Sequence, residues 1–363
     1  MKIEPEHSLI LYASRLYKTK EEEKVIDKLL SLKLNWVNII GLIILHRLCG
    51  YFWFGLTEQE RKEIPSEFRH IIKIIVQAQE SQNSSMLKEL RDVFYDLNNS
   101  GIQYAGLQGI IFINDFYPLG IRRFNDVDII VHKSSLKQFD NIIRRYGFIQ
   151  SLLPNGEFIE ASMDEKKLHY EKSKDIIPYI KKSKDKFLKI DVDYAFDTNN
   201  NIDDLIFSQN MKLYSKNDFS CNGFSFYINL IQLCLHFFYE GTNANQVLLY
   251  RDILLFRVVD IVNLIYHYNS SFNIEEWILL VKEMKLNNPC YYTFYVISEF
   301  YVNNTMFEYI KGKLEPEDCS FIRQIYFHKE KKYIIREESF YDSAFNKENM
   351  DYKHLYNRLV DKY

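Results

Sequence analysis

Two aspartates one residue apart, Asp126 and Asp128, stand at the start of the apolar run "DVDIIV". Successive side chains of a β-strand point to opposite faces, so a strand here places both carboxylates on one face and Val127 and Ile129 on the other. Two negative charges this close repel each other unless a cation lies between them or water screens them. The spacing therefore predicts either a cation-binding site or a solvated strand end.

A second stretch, "KFLKIDVDYAF" (186–196), repeats the same alternation. Its apolar side chains alternate with Lys189, Asp191 and Asp193, which therefore share one face. Carboxylates from two neighbouring strands supply the hard oxygen ligands that Mg²⁺ prefers, and a pair of such ions can activate an attacking oxygen and stabilise a leaving pyrophosphate. The alternation leaves open whether Asp191 or Asp193 is the third ligand, since both lie on the same face.

The segment before the first acidic pair reads as strand, glycine turn and helix. "IQYAGL" (102–107) is β-prone, Gln108 and Gly109 follow, and "IIFINDFYP" has helical spacing until Pro118. A helix that begins at such a turn directs its first N–H groups forward, and these groups favour an anion. The segment therefore predicts a phosphate-binding turn close to the acidic residues.

Helices are predicted on both sides of these strands. The predicted domains are an N-terminal helical region (1–100), a core with a small mixed sheet (101–220) and a C-terminal helical domain (221–363), which together make an α+β protein. Core strands are predicted at 102–107, 126–131, 166–173 and 186–196, with a lysine-rich hairpin turn between the last two. Helices are predicted at 5–17, 20–34, 35–54, 66–101, 134–148, 226–241, 246–268, 274–286 and 288–304, and the tail from 315 has no clear periodicity.

The composition limits the classes of function. The chain has 363 residues, 47% of them apolar, and a net charge of −3, which indicates a globular protein without a global attraction for nucleic acid. Its five cysteines are scattered without zinc-ligand spacing, as is typical of a reduced cytosolic protein. The N-terminus lacks a signal-peptide pattern, and the apolar stretch 36–56 is interrupted by His46 and Arg47. We therefore expect a cytoplasmic protein with no membrane partner and no long nucleic-acid partner.

The block "GIQYAGLQGIIFINDFYPLGIRRFNDVDIIV" (101–131) resembles the signature of an uncharacterised nucleotidyltransferase family of the DNA polymerase β superfamily. The later stretch "IDVDYAF" is similar to the family strand that carries a third carboxylate. The resemblance implies a polymerase β-like nucleotidyltransferase core. The residues implied for nucleotide binding are Gln108, Gly109 and Arg122, and those implied for catalysis and metal binding are Asp126, Asp128 and Asp191, with Asp193 as the substitute third ligand.

The activity implied by the resemblance is an Mg²⁺-dependent transfer of a nucleoside monophosphate from an NTP, with ATP expected, and release of pyrophosphate. The implied acceptor is a hydroxyl, carboxyl or amine group of a small molecule, a peptide or a protein. Gln108 stands where the family usually has lysine, and Asp193 stands where it often has histidine. Two alternatives stay open: a catalytically inactive or regulatory nucleotide-binding protein of the same fold, and a helical interaction protein with an incidental acidic cluster. The pattern indicates no particular acceptor and no oligomeric state.

Three further titratable residues have two interpretations each. His169, on a predicted strand, either faces the cleft or lies at the surface. His236 is either a hydrogen-bonded core histidine or a catalytic base. Asp260 lies among valines and isoleucines, so it needs a buried partner, for which His236, Arg257 and Arg251 are candidates. The alternative for Asp260 is a base that acts on the acceptor.

Overall fold

The computed structural model describes residues 3–124, 126–153, 156–183, 186–196, 206–207, 210–327 and 331–346. The chain forms two compact units. The first unit contains Met1–Ile74 and Leu230–Tyr363, and the second contains Ile75–Asn229. This grouping places both predicted helical regions largely in one unit, and the three-domain division with boundaries at 100 and 220 stays a prediction.

The N-terminal part of the first unit is a series of helices. Thr19 and Thr57 are each the N-cap of a helix and form a capping box. The threonine hydroxyl accepts a hydrogen bond from the backbone amide of the glutamate three residues later, and the carboxylate of that glutamate accepts one from the amide of the threonine. The helices are α1 (Pro5–Ala13), α2 (Lys20–Leu30), α3 (Trp36–Leu45), α4 (Cys49–Gly55), α5 (Glu58–Lys62) and α6 (Ser66–Asn99), the last of which continues into the second unit.

The single helix predicted over 35–54 is divided into α3 and α4. Arg47 at the break has a φ of 58°, and His46 beside it is buried. The Nε2 of His46 lies 3.0 Å from the carbonyl oxygen of Ala344, and its Nδ1 accepts from the amide of Leu255 at 3.2 Å, so buried hydrogen bonds fix the break. In the described part of the chain, no single helix is long and apolar enough to cross a membrane, and α3 and α4 meet that criterion only as a pair bent by 117°.

The second unit carries one mixed β-sheet. In chain order its elements are β1 (Tyr104–Gly106), α7 (Gly109–Asp115), β2 (Val127–Val131), α8 (Leu136–Arg145), β3 (Ile149–Gln150), α9 (Met163–Lys172), β4 (Asp175–Ser183), β5 (Lys186–Asp193), β6 (Met211–Lys216) and β7 (Phe219–Phe224). The described strands are arranged in the order β3-β4-β5-β2-β1-β7-β6. The pairs β1–β7 and β2–β5 are parallel, and the other neighbours are antiparallel. The α+β class with a mixed sheet is confirmed, and the sheet has more strands than predicted.

The strand predicted at 166–173 is wrong, because these residues belong to α9 and the position after it. Ser162 caps this helix, and a capping box links it to Glu165. No side chain of α9 is buried. Its apolar residues therefore do not form the buried face that a half-buried strand would have.

The hairpin partner of β5 is β4, in a segment that was predicted to be a lysine-rich turn. β4 contains Pro178, and its register with β5 shifts by a bulge between Ile176 and Tyr179. A residue without an N–H group is tolerated at a bulge, so proline does not prevent this strand. Residues 184 and 185, which lie between β4 and β5, are outside the described residues.

The C-terminal part of the first unit is again mostly helical. The helix predicted over 246–268 is divided in two, and Tyr250 in the break has a φ of 57°. The tail contains a two-stranded sheet and a short helix where no pattern was seen, and residues 347–363 are outside the described residues. The elements are α10 (Phe226–Thr242), α11 (Ala244–Leu248), α12 (Leu255–His267), α13 (Ile274–Glu283), α14 (Asn287–Phe300), α15 (Thr305–Leu314), β8 (Gln324–Phe327), β9 (Lys332–Ile335) and α16 (Phe340–Phe345).

A buried ion pair lies in this part of the first unit. Arg336, directly after β9, is 2.8 Å from the carboxylate of Asp252, and their side chains are 1% and 0% exposed. The guanidinium also donates to the hydroxyl of Ser343 at 2.7 Å and to the carbonyl of Gly241 at 3.0 Å. The buried charge of Arg336 is therefore compensated by groups of the protein itself.

Candidate active site

Aspartates line one face of the sheet where β2 and β5 run side by side. These parallel strands pair in register, so that Asp128 stands beside Asp191 and Ile130 stands beside Asp193. Residues paired directly across a sheet point to the same face, and the apolar residues that alternate with them are buried. Asp126 lies two residues before Asp128, just ahead of β2. We call the surface formed by Asp126, Asp128, Asp191 and Asp193 the carboxylate face.

Asp128 has the least favourable position for a negative charge on the carboxylate face. The pKa of Asp128 is raised from 3.8 to about 7, chiefly by burial and then by the charges of Asp126 and Asp191, while the charge of Arg122 acts in the opposite direction. Near pH 7 a fraction of the Asp128 carboxyl groups therefore keeps its proton. A cation bound beside Asp128 favours the ionised form.

Asp193 lies farther along β5 and faces another aspartate, Asp175, across the β4–β5 pair. The pKa of Asp193 is raised to about 6, chiefly by burial; the Lys174 ammonium opposes this rise, and the charges of Asp175 and Asp191 add to it. The Nζ of Lys174 is 3.7 Å from Oδ2 of Asp193. Asp193 thus has its own cation and its own acidic neighbour, while Asp191 is the carboxylate that stands beside Asp128. The sequence did not indicate Asp175, because β4 was not predicted.

An ammonium group lies directly against Asp191. The Nζ of Lys189 is 2.7 Å from Oδ2 of Asp191, and the two side chains are 40% and 33% exposed. Burial raises the pKa of Asp191, and the hydrogen bond and charge of Lys189 lower it. Burial lowers the pKa of Lys189, but the hydrogen bond to Asp191 and the charges of the neighbouring aspartates outweigh burial and raise it. The predicted polar face of β5 includes Lys189, but the sequence predicts no partner for its ammonium group.

The donor set of the carboxylate face fits a hard divalent cation. The available ligand atoms are carboxylate oxygens on adjacent strands, which is the chemistry that Mg²⁺ prefers. The ammonium of Lys189 already places one positive charge beside Asp191. Within the residues that the structure describes, no three Asp, Glu, His or Cys side chains are arranged to hold an ion. The convergence of Asp126, Asp128 and Asp191 on one metal ion therefore stays a prediction.

His169 lies on α9, so the prediction that it lies on a strand is wrong. Its Nε2 is 3.0 Å from Oδ1 of Asp175, and the hydroxyl of Ser173 donates to the same oxygen. Because Asp175 pairs with Asp193 across the sheet, His169 lies near the Asp193 end of the carboxylate face.

The turn before α7 has a strained backbone. Gln108 has φ 49° and ψ −114°, values of the first central position of a type II′ turn, where glycine is favoured. The amides of Ile111 and Phe112 both donate to the carbonyl of Gln108. The amides of Gly109 and Ile110 lie in the first turn of the helix. Like the first amides of any helix, they have no carbonyl of an earlier helical turn to which they could donate. The predicted order of strand, glycine turn and helix is confirmed.

Gln108 and Arg122, both implied for nucleotide binding, contact each other. A guanidinium nitrogen of Arg122 donates to Oε1 of Gln108 at 3.3 Å, and Gln108 is only 5% exposed. The loop that carries Arg122 is fixed by Asn83 of α6, whose amide nitrogen donates to the carbonyls of Leu119 at 2.5 Å and Arg122 at 2.8 Å. Asn83 had no predicted role, although a polar residue on the apolar stripe of α6 was the available signal.

Gly109 is confined by its neighbours. A Cβ atom at this position would stand 3.2 and 3.3 Å from ring carbons of Phe124 and 3.7 Å from Cζ of Arg122. Contacts this short require the ring to move by a few tenths of an ångström. The need for glycine therefore arises from packing inside the turn as well as from any ligand in front of it.

Asp260 and His236 belong to the first unit, whereas the carboxylate face belongs to the second. Asp260 is 1% exposed, and the hydroxyl of Tyr51 donates to its Oδ1 at 2.6 Å. Arg257, one of the predicted partners, is 2.8 Å from Glu240. His236 is half-buried on α10. The contact with Tyr51 agrees with the structural interpretation of Asp260.

Comparison with known proteins identifies the family of this chain. A family model described as an uncharacterised nucleotidyltransferase matches residues 33–302, which is more than half of the sequence. Searches among curated proteins and among solved structures found no match. The matched region contains the glycine turn, Arg122 and all four aspartates of the carboxylate face. This chain therefore belongs to the uncharacterised nucleotidyltransferase family.

Proposed function

We propose that this protein is an Mg²⁺-dependent nucleotidyltransferase with a polymerase β-like core. It transfers a nucleoside monophosphate from an NTP, with ATP as the first candidate, to a hydroxyl, carboxyl or amine group and releases pyrophosphate. The observation that carries the proposal is the in-register pair of Asp128 and Asp191 on adjacent parallel strands. Membership in a nucleotidyltransferase family supports the reaction class.

In this proposal Asp126, Asp128 and Asp191 hold the cation, with Asp193 as the substitute for Asp191. The Mg²⁺ held by these residues would supply activation of the attacking oxygen and stabilisation of the leaving pyrophosphate. The raised pKa of Asp128 couples binding to proton release, because the carboxyl group must ionise fully to act as a ligand. Rigid strands hold Asp128 and Asp191 side by side, which limits the reorganisation needed on binding.

The triphosphate is proposed to bind at the glycine turn. The first amides of α7, those of Gly109 and Ile110, supply backbone donors, and Arg122 supplies positive charge beside them. Gln108 replaces the usual lysine and contributes an amide donor without charge. Asn83 supports this arrangement indirectly, since it holds the carbonyls of the loop that carries Arg122.

The acceptor is proposed to be a small molecule, a peptide or a protein and not a long nucleic acid. The carboxylate face carries four aspartates, and Lys189 and Lys174 are each paired with one of them. Binding of a nucleic-acid backbone depends on neutralising many phosphates with positive side chains. A surface with this charge balance favours a compact acceptor.

The test uses the purified full-length chain, Mg²⁺, each NTP in turn and a protein-depleted or whole cell extract as the source of acceptor. Pyrophosphate release and the mass of nucleotidylated products are measured. The variants Asp126→Asn and Asp128→Asn are expected to lower product formation by at least about a thousand-fold, since each removes a proposed metal ligand. The matched control Asp164→Asn, at an exposed position in the first turn of α9, is expected to keep wild-type activity.

Two outcomes would overturn the proposal. Unchanged turnover in Asp128→Asn would show that the carboxylate face is not catalytic. Mg²⁺-dependent ATP binding with no pyrophosphate release under any acceptor condition would favour an inactive nucleotide-binding protein instead.

A further inference from the structure

Lys189 occupies a defined place among the carboxylates. The register of β2 and β5 pairs Asp128 with Asp191, and the same register continued toward the strand starts brings Lys189 opposite Asp126. The Nζ of Lys189 lies 2.7 Å from Oδ2 of Asp191. Lys189 also interacts electrostatically with Asp126 and Asp128. One ammonium group thus interacts with all three carboxylates that the proposed function assigns to the metal.

An ammonium group and a metal ion cannot share Asp191 without cost. Both are cations, and at separations of a few ångströms their repulsion is substantial even in a largely solvated setting. Lys189 is 40% exposed and has a flexible four-carbon stem, so its ammonium can leave Asp191 without disturbing β5. Lys174 offers a natural comparison, because its Nζ lies 3.7 Å from Asp193 and not beside Asp191.

We propose that Lys189 is a positioning residue whose ammonium acts as the resident cation of the carboxylate face. It holds Asp191 in place before a metal ion arrives and competes with that ion for the carboxylate. The inference rests on the proposed function, since it takes Asp191 as a metal ligand. Its consequence is that the site binds a free divalent ion less tightly than its carboxylates alone allow.

The test measures Mn²⁺ binding to the full-length chain without nucleotide, by titration calorimetry or by electron paramagnetic resonance of free Mn²⁺. Lys189→Met removes the charge and keeps the length of the stem. It is expected to bind Mn²⁺ about three- to ten-fold more tightly than the wild type, because one repelling charge is gone. Lys189→Gln serves as a second neutral variant, and thermal unfolding of each variant reports whether the fold is kept.

Two matched controls locate the effect. Lys189→Arg keeps the positive charge and is expected to keep wild-type Mn²⁺ affinity. Lys174→Met removes the ammonium beside Asp193 and is expected to change the affinity by less than about two-fold, since that charge does not compete for Asp191.

The outcomes separate this inference from the proposed function. Unchanged or weaker Mn²⁺ binding by folded Lys189→Met and Lys189→Gln overturns the inference, as does tighter binding by Lys189→Arg. A larger gain from Lys174→Met than from Lys189→Met also overturns it, because the competing lysine would then be the one at Asp193. Failure of the metal site itself has a different signature: the wild type and Asp128→Asn would bind Mn²⁺ equally or not at all.

Discussion

Charged side chains are held in opposite ways in the two units of this molecule. In the first unit, Arg336 and Asp252 form an ion pair that is almost completely buried, and further polar groups satisfy the guanidinium. In the second unit, Asp128 and Asp191 stand side by side on neighbouring strands, and burial raises the pKa of both. The first arrangement matches one guanidinium with one carboxylate, whereas the second brings four aspartates together and pairs two of them with lysines.

The difference shows what each arrangement is suited to do. A buried pair that the protein satisfies by itself gains nothing from a ligand, whereas adjacent carboxylates keep a repulsion that a bound cation removes. Any group that binds only the folded state stabilises it, so the carboxylate face is where added metal is expected to change stability. Three experiments test this contrast.

The largest expected effect is on the buried pair. Arg336→Met leaves the Asp252 carboxylate buried without its counter-charge, and we expect it to lower the free energy of unfolding by about 3–5 kcal/mol. Denaturant titration measures the change. The double variant Arg336→Met with Asp252→Leu is expected to recover most of the loss, because both charges are then absent. A loss below about 1 kcal/mol in the single variant would show that the Asp252 carboxylate does not depend on Arg336.

The next effect distinguishes the two candidate third ligands. We expect Asp191→Asn to lower nucleotidyl transfer by about a hundred-fold or more, and Asp193→Asn by less than about ten-fold, because Asp191 is the one that stands beside Asp128. Pyrophosphate release under saturating Mg²⁺ and ATP gives the comparison. The reverse order of the two losses would assign the third ligand to Asp193.

The smallest effect is the pH dependence of the stability of the metal-free protein. The folded pKa of Asp128 is about 7 and its ordinary value is 3.8, so the folded state keeps this proton over a range in which the unfolded state has lost it. The contribution of Asp128 to stability is therefore complete below about pH 4, declines as pH rises toward 7, and is lost above it.

Asp128→Asn cannot titrate and serves as the reference for this contribution. Between pH 5 and pH 8, the wild type is expected to lose on the order of 1–2 kcal/mol of unfolding free energy relative to this variant, after allowance for solvent screening. Denaturant titration at the two pH values measures the difference. Saturating Mg²⁺ at pH 8 is expected to reverse the loss in the wild type only. An equal pH dependence of the unfolding free energy in both proteins would show that folding does not raise the pKa of Asp128.

The pair Asp128 and Asp191 illustrates how far the sequence predicts this site. Alternation along β5 and at the start of β2 places the carboxylates on one face, and the structure confirms both strands. The glycine turn was also predictable, because a β-prone run, Gln108–Gly109 and a helical period follow each other directly. Local patterns of this kind are imposed by neighbouring residues in the chain.

The rest depends on contacts that local patterns do not encode. Pro178 and several lysines obscure the alternation of β4, so the sequence predicts a turn there and does not indicate Asp175. The same applies to the pairing of Arg336 with Asp252, which joins a tail without periodicity to a break between helices. The error at α9 is different, because the Ser162–Glu165 capping box was visible in the sequence and outweighs a short alternation.

The unit that carries the carboxylate face is continuous in the chain, while the other unit is split around it. During synthesis, all of Ile75–Asn229 leaves the ribosome before the second half of the split unit has been made. The sheet of this unit can therefore begin to fold before Met1–Ile74 meets the C-terminal segment with which it forms the other unit. All the described strands of this sheet therefore lie outside the ribosome before the C-terminal segment of the split unit is complete.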